Sequence, residues 1–296
     1  MPDAPTLTVS VDAIAERRFA RVFPTWLVPS ARARVTLIYL WQHRRWPRLR
    51  DPRLFTELVQ VRKLADRDAR LSLLTDKVRV KAHVAALLGE EWVIPTLWSG
   101  TELPEEPPAP LPLVVKSRHG CGQIAFVHSQ ADWARARHRA RGWMRQRYGR
   151  WLDEWAYGEI PRGLLIEPLI GCGAVLPVDY KLFVFGGRVA FVQVHLERGG
   201  RHRWVVFDRD WRRVSEDDGR PLPLPPRSLP QMIAGAETLG RGFDHVRVDL
   251  YELGEQPVFG ELTFYPGSGV LPIRPLSLDR RMGKAWLTAR NVKTGR

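Results

Sequence analysis

The chain has 296 residues, 44% hydrophobic and 26% charged, enough for the core of one large domain or two to three packed lobes, which excludes disorder as the dominant state. Its longest apolar runs, around 35–41 and 163–178, are too short or are broken by Glu167, so none reaches the roughly 20 residues of a membrane-spanning helix. The net charge of +14 is concentrated in residues 1–70, with 14 basic and 7 acidic side chains, and in 131–150, with 7 and 1; this suits polyanionic or phosphorylated partners or a peripheral contact with an anionic membrane, while no helix-turn-helix, RNP or zinc-finger pattern supports nucleic acid.

The opening Met1-Pro2-Asp3-Ala4-Pro5 lacks a basic stretch followed by an apolar one, against the pattern of a secretory signal. Cys121 and Cys172 sit in glycine contexts without metal-ligand spacing, and two cysteines make no disulfide framework. The expected compartment is the cytoplasm, with the inner membrane face as a peripheral site.

Helical spacing of apolar residues predicts helices over Leu54–Leu64 and Asp76–Leu88, the second opening with Thr75-Asp76 and closing at Gly89. The five prolines of 103–112 predict a loop. Beyond it, 113–116 and 124–128 read as strands flanking the turn Ser117-Arg118-His119-Gly120-Cys121-Gly122-Gln123. A helix is predicted over 131–151, with Trp133, Ala136, Ala140, Trp143, Met144 and Trp151 on one face and arginines around the rest. A short strand at 164–166 leads into Glu167-Pro168-Leu169-Ile170 and a glycine turn. Strands at 180–185 and 188–196 are joined by Gly186-Gly187, and 203–207 continues the sheet. After a proline-rich connector at 221–230 come a helix ending near Gly240 and strands at 245–253 and 258–264.

Several of these residues can do chemistry. Lys116 ends an apolar strand and is followed by Gly120 and Gly122, an arrangement in which backbone N–H groups and an ammonium approach phosphate oxygens closely. Taken alone it reads first as a solvated strand edge and an ordinary glycine turn. Glu167 and Asp179 flank a hinge-like segment with unpaired backbone groups, suited to reading an adenine edge and holding ribose hydroxyls, or else mark plain strand ends. Alternation places Arg247, Asp249 and Tyr251 on one face of their strand and Glu261 with Thr263 on one face of the next. If the strands are antiparallel neighbours, Asp249 and Glu261 meet. Two adjacent carboxylates are costly unless protonated, paired with a base or neutralised by a cation, and hard oxygen ligands suit Mg²⁺ bound to nucleotide phosphates. The competing reading is a surface Asp–Arg pair.

The ordered series Asp76-Lys77, Leu113-Val114-Val115-Lys116 with its glycine loop, Leu165-Ile166-Glu167-Pro168-Leu169, Arg247-Val248-Asp249 and Glu261-Leu262-Thr263 resembles ATP-grasp enzymes in order and spacing. Within them it is similar to the TupA-like branch, associated with teichuronopeptide and other bacterial surface-polysaccharide synthesis. The branch resemblance rests on 76–81, 89–95, 116–120, 154–157, 179–181 and 259–269, and spans about residues 53–290. It implies an α+β ATP-grasp fold in which nucleotide is sandwiched between two mainly antiparallel α+β lobes, with a helical N-terminal lobe. The implied divisions are a basic extension at 1–52, an N-terminal lobe at 53–112, a small lobe with a flexible glycine loop at 113–170, and a C-terminal lobe with a magnesium site at 171–296.

Carried over by this resemblance, Lys77 and Lys116 contact ATP phosphates and the loop Ser117, Arg118, His119, Gly120, Cys121 and Gly122 closes over them. Glu167, Pro168, Leu169 and Ile170 form the adenine hinge, and Asp179 holds ribose. Asp249 and Glu261 match the Mg²⁺ carboxylates, with Thr263 where many ATP-grasp ligases carry an asparagine ligand. Arg247 steadies the transferred phosphate. Lys181 and Arg118 contact the phosphate or the carboxylate substrate, and Gly267, Ser268 and Gly269 form a turn near the acceptor.

The implied reaction is ATP-dependent carboxylate–amine ligation through an acylphosphate, joining an amino acid or acidic peptide to a glycan or lipid-linked sugar. Such phosphoryl transfer is mostly positioning and charge neutralisation. Two other readings stand beside it: a phosphotransferase in which a sugar hydroxyl accepts the phosphate, and an inactive basic module that binds glycan or membrane.

Overall fold

The computed structural model describes residues 28, 30–171, 176–196 and 203–293; most of the basic extension, with Trp26, and Cys172 lie outside the described residues. Nine strands among these residues form two antiparallel sheets. The first contains β1 (Trp98–Gly100), β2 (Leu113–Ser117), β3 (Ile124–Val127) and β4 (Leu164–Pro168) in the order β1-β4-β2-β3. The second contains β5 (Asp179–Phe185), β6 (Arg188–Leu196), β7 (Arg203–Asp208), β8 (His245–Leu253) and β9 (Gln256–Thr263) in the order β7-β6-β5-β8-β9.

Turn chemistry sets the hairpins of the second sheet. Gly186 and Gly187, at φ 57° and 79°, join β5 to β6, the left-handed pair that a two-residue turn needs to match strand twist. Gly254 and Glu255, at φ 55° and 66°, join β8 to β9 in the same way. The latter turn is shorter than the sequence suggested, because Gln256 and Pro257 already belong to β9. Pro257 is tolerated there because β9 is an edge strand and a missing N–H breaks no central ladder.

The helices follow their caps. In α1 (Ala31–His43) the Ser30 hydroxyl accepts from the Ala33 amide at 3.4 Å. In α2 (Phe55–Ala65) the Glu57 carboxylate accepts the amides of Arg48, Arg53 and Leu54 at 2.9–3.1 Å. The predicted helix over 76–88 is α4 (Arg79–Leu88), preceded by the short α3 (Arg70–Thr75). Asp76 turns extended between them, and its Oδ1 accepts the amides of Val78 and Arg79 at 3.0 and 3.3 Å, the competition for backbone donors that moves aspartate to helix starts. The predicted helix over 131–151 is α5 (Gln130–Arg145), capped by Ser129. It ends where Gln146 becomes extended, so Trp151 is not on it, and Met144 is only half-buried. Trp133, Ala136, Ala140 and Trp143 form its buried face as expected.

Two large hydrophobic cores result among the described residues, beside a small cluster of Ile38, Leu152 and Val270. The smaller packs α5 on the first sheet through Trp133, Ala136, Ala140, Val115, Val127 and Ile166. The larger joins the second sheet to α2, α4, the short α6 (Trp155–Gly158), α7 (Leu229–Leu239) and α8 (Leu276–Lys293). Within it Phe55, His245 and Trp286 are in ring contact, and buried Asp279 of α8 accepts from the Thr56 amide at 3.0 Å and its hydroxyl at 2.8 Å. A parallel bridge from Val93 to Phe259 carries the chain after α4 along the free edge of β9. No helix among the described residues is long and apolar enough to cross a membrane.

Candidate active site

Strand register builds one half of the site. Asp249 of β8 lies opposite Glu261 of β9, and Arg247 lies opposite Thr263, so four polar side chains share one face of a two-stranded edge. Arg247 donates from Nε to Asp249 Oδ1 at 2.6 Å and from Nη2 to Asp249 Oδ2 at 2.7 Å, Glu261 Oε1 at 3.1 Å and Thr263 Oγ1 at 3.0 Å. Thr263 in turn donates to Glu261 Oε1 at 3.0 Å. Lys181, opposite Asp249 on β5, bonds to Asp249 and to Asp179 Oδ2, the latter at 2.9 Å.

Charge neutralisation permits this burial. Desolvation alone would push the Asp249 carboxyl up, but Arg247 and Lys181 hold it well below the usual carboxylate range. The same network overcomes the burial of Lys181 and Arg247 and keeps both firmly protonated.

The other half of the site comes from the first sheet and α4. Lys116 Nζ on β2 meets Glu167 Oε2 of β4 at 2.5 Å, and Lys81 Nζ of α4 meets Glu167 Oε1 at 2.5 Å. Burial pulls the Lys116 ammonium down, and Glu167, Tyr251 and Glu261 more than reverse this. Burial would raise the Glu167 carboxyl, and the two lysines lower it instead. Lys77 donates to the Gly120 carbonyl; its ammonium is lowered by burial, a shift that Glu261 opposes. Glu261 of the second sheet thus opposes the burial of both Lys77 and Lys116, an electrostatic link between the two halves.

The glycine loop is tied at several points. Arg118 makes a two-pronged pair with Asp76 at 2.7 and 2.6 Å, and its amide donates to the Gly163 carbonyl at 2.8 Å. His119 is 2% exposed and bonds to the Trp143 carbonyl and the Gly163 amide, both at 3.4 Å; burial lowers its pKa and keeps it neutral. The Ser117 side chain is fully buried, and its Oγ has no hydrogen-bond partner. Cys121 is half-buried, and Gly122 takes φ 67°. At the hinge, Pro168, Leu169 and Ile170 are half-buried at the end of β4. The Leu169 amide donates to the Pro112 carbonyl at 3.3 Å, so this hinge group is paired where the sequence suggested an open one.

The turn 267–269 follows β9 directly, with Gly267, Ser268 and Gly269 at φ 53°, 52° and 61°. Lys63 Nζ donates to Ser268 Oγ at 2.6 Å, Gln60 Nε2 to the Ser268 carbonyl at 2.9 Å, and His43 Nε2 bonds to the Gly269 carbonyl at 3.1 Å. A Cβ on Gly269 would lie 2.7 Å from the Thr56 carbonyl oxygen, so only glycine fits.

Sequence reasoning did not single out Lys81, Lys63 or Gln60. A signal was available: only seven of the 46 basic residues are lysine, and Lys63, Lys77, Lys81, Lys116 and Lys181 are five of them. A compact ammonium can exchange among oxygen acceptors in a way a planar guanidinium cannot.

A model of the TupA-like ATP-grasp family matches residues 57–287. Among curated proteins none matches this sequence. Solved structures of similar fold include D-alanine–D-alanine ligase from Bacillus anthracis, 15% identical over 76% of this chain and 70% of that one with a TM-score of 0.44. The same enzyme complexed with ATP is 14% identical over 76% and 69%, TM-score 0.47. A RimK domain ATP-grasp protein from Sphaerobacter thermophilus DSM 20745 is 20% identical over 76% and 69%, TM-score 0.42. These likenesses concern fold only; the family match covers more than three quarters of the chain, and on it the chain belongs to the TupA-like ATP-grasp family.

Proposed function

We propose that the protein is an ATP-dependent carboxylate–amine ligase that forms an amide through an acylphosphate. The carrying observation is the Arg247–Asp249–Glu261 network with Lys181, whose Glu261 carboxylate also acts on Lys77 and Lys116. In this reading Lys77 and Lys116 hold the ATP phosphates, residues 117–122 cover them, 167–170 border adenine and Asp179 holds ribose. Arg118 engages substrate by exchanging its bond to Asp76.

The donor set suits Mg²⁺. Asp249 and Glu261 are hard oxygen ligands in register, with the Thr263 hydroxyl beside them. No group of three or more His, Cys, Asp or Glu residues that could hold a metal ion occurs among the described residues, so in this reading Mg²⁺ takes its remaining ligands from phosphate and water. When bound, Mg²⁺ supplies neutralisation of phosphate charge.

A substrate carboxylate oxygen attacks the γ-phosphorus and ADP departs; an amine then attacks the acyl carbon and inorganic phosphate departs with that oxygen. Arg247 and Lys181, held protonated, stabilise the charge on the transferred group, and the turn at 267–269 borders the acceptor. The carboxylate and amine come from an amino acid or acidic peptide and a glycan or lipid-linked sugar in bacterial surface-polysaccharide synthesis, carried out in the cytoplasm or peripherally at the inner membrane face. The exposed arginines of α5 support contact with such anionic partners.

Product analysis tests the reaction. Ligation yields ADP, free phosphate and an amide, and an oxygen-18-labelled carboxylate passes one label into phosphate. ADP with a stable phosphorylated sugar and no free phosphate identifies a kinase; absence of nucleotide turnover with any acceptor identifies a binding module.

A further inference from the structure

Glu167 is 4% exposed and carries two lysines, one on each oxygen. Lys116 and Lys81 stand differently toward it. Among the described residues, Glu167 is the only side-chain hydrogen-bond partner of the Lys116 ammonium. Lys81 is held on three sides, by Glu167 Oε1 at 2.5 Å, the Ile94 carbonyl at 2.8 Å and Thr96 Oγ1 at 2.7 Å. Those bonds fasten α4 to the segment before β1 and to β4, so Lys81 cannot leave without breaking two further bonds. Lys116 can turn away from Glu167 by breaking one.

We propose that Lys81 is a positioning residue of the nucleotide site: by permanently occupying one oxygen of Glu167, it keeps that carboxylate from capturing Lys116 and leaves the Lys116 ammonium available to a nucleotide phosphate. The inference rests on the reading that Lys116 contacts phosphate. Its physical basis is competition. A buried carboxylate with one cationic partner binds it strongly, whereas one already neutralised by a fixed lysine attracts the second far less. Lys81 also keeps the cleft positive. Lys77, Lys81, Lys116, Lys181 and Arg247 face Glu167, Asp179, Asp249 and Glu261, and loss of Lys81 removes the excess cation where a polyphosphate must enter.

The test is a double-mutant cycle on the full chain: wild type, Lys81→Met, Glu167→Gln and the pair combined, read by calorimetric affinity for the non-hydrolysable ATP analogue AMP-PNP with Mg²⁺. Lys81→Met is expected to weaken binding about tenfold, and Lys81→Met in the Glu167→Gln background to change it less than about twofold, because the competitor is gone. Lys81→Arg, which keeps the charge, is expected to restore most of the affinity. Equal losses in both backgrounds, or no loss in wild type, overturn the proposal. If Lys81→Met alone does not fold, comparison of Lys81→Arg with wild type and of the double variant with Glu167→Gln decides: unchanged affinity in the first and less than a twofold change in the second support it, and a loss in the second overturns it. Lys116→Met separates the two claims. Wild-type affinity in that variant defeats the nucleotide reading itself; a loss there with none from Lys81→Met defeats only the role of Lys81.

Discussion

Asp249 and Glu261 face each other across the β8–β9 ladder and share one guanidinium, whose Nη2 reaches Asp249 Oδ2 at 2.7 Å and Glu261 Oε1 at 3.1 Å. The two carboxylates differ in commitment. Both oxygens of Asp249 are taken by buried cations, whereas the Glu261 side chain is 37% exposed. Glu261 is the carboxylate able to meet an incoming ion without first releasing a partner, and Asp249 is the one that holds the cations in place.

Asp249→Asn therefore abolishes turnover and also destabilises the fold. Burial beside Arg247 and Lys181 makes loss of the charge cost about 3 kcal/mol or more. Urea unfolding of the variant checks this; unchanged stability would mean that the network is not buried as described. Glu261→Gln, on the exposed side, is expected to lose turnover at less than about 1 kcal/mol of stability.

The same carboxylate sets a pH response. Its folded pKa lies below its unfolded one, so its contribution is fully present above the ordinary carboxylate range and is lost as pH falls through the folded value. Stability of wild type minus Asp249→Asn is thus flat from pH 5 to pH 8, and the difference shrinks only in strong acid.

His43 acts at milder pH. Burial lowers its pKa from the ordinary 6.5 to about 4, against the raising effect of its bond to the Gly269 carbonyl. Between those values the unfolded chain binds the proton and the folded one does not, so stability falls as pH drops from 6.5 toward 4. His119 and His245, both lowered by burial, add to the fall. His43→Gln should flatten its share of the slope in urea titrations at pH 7, 6, 5 and 4; an unchanged slope would show that His43 titrates normally.

Lys116→Ala tests the nucleotide site by linkage. Wild type at a hundredfold excess of Mg-ATP over Kd gains about 2.7 kcal/mol, read as an upward thermal shift that depends on Mg²⁺. The variant is expected to lose most of that shift. An identical shift in both proteins removes Lys116 from the site.

Gly269→Ala combines a left-handed backbone with contact to the Thr56 carbonyl and Val59. A loss of about 2–4 kcal/mol follows, with Gly267→Ala milder because its Cβ would meet only the flexible Leu271 side chain. Equal effects would place the constraint in the backbone angle alone.

Replacing Arg135, Arg137, Arg139 and Arg141 by glutamine tests the basic face of α5. Binding to anionic vesicles or acidic glycan should weaken at low salt and converge with wild type at high salt, where surface charge is screened. Parallel curves across the salt series return these arginines to the role of solvated surface.

Much was legible in the chain itself because its signals are local. Alternation on β8 and β9 placed Arg247, Asp249, Glu261 and Thr263 on shared faces, Gly186-Gly187 set a hairpin, and the Trp133–Trp143 stripe specified the buried side of α5. The ordered motifs sufficed for family and fold, since each depends on residue type at fixed spacing. What the tertiary structure decided is which groups pair once the sheets face each other. Lys81 and Glu167 are 86 positions apart, and Lys63 and Ser268 are 205 apart; no periodicity links such residues, because their meeting depends on how helices pack on sheets. The early end of α5 belongs to the same class: apolar spacing continued to Trp151, and an extended Gln146 stopped the helix after Arg145.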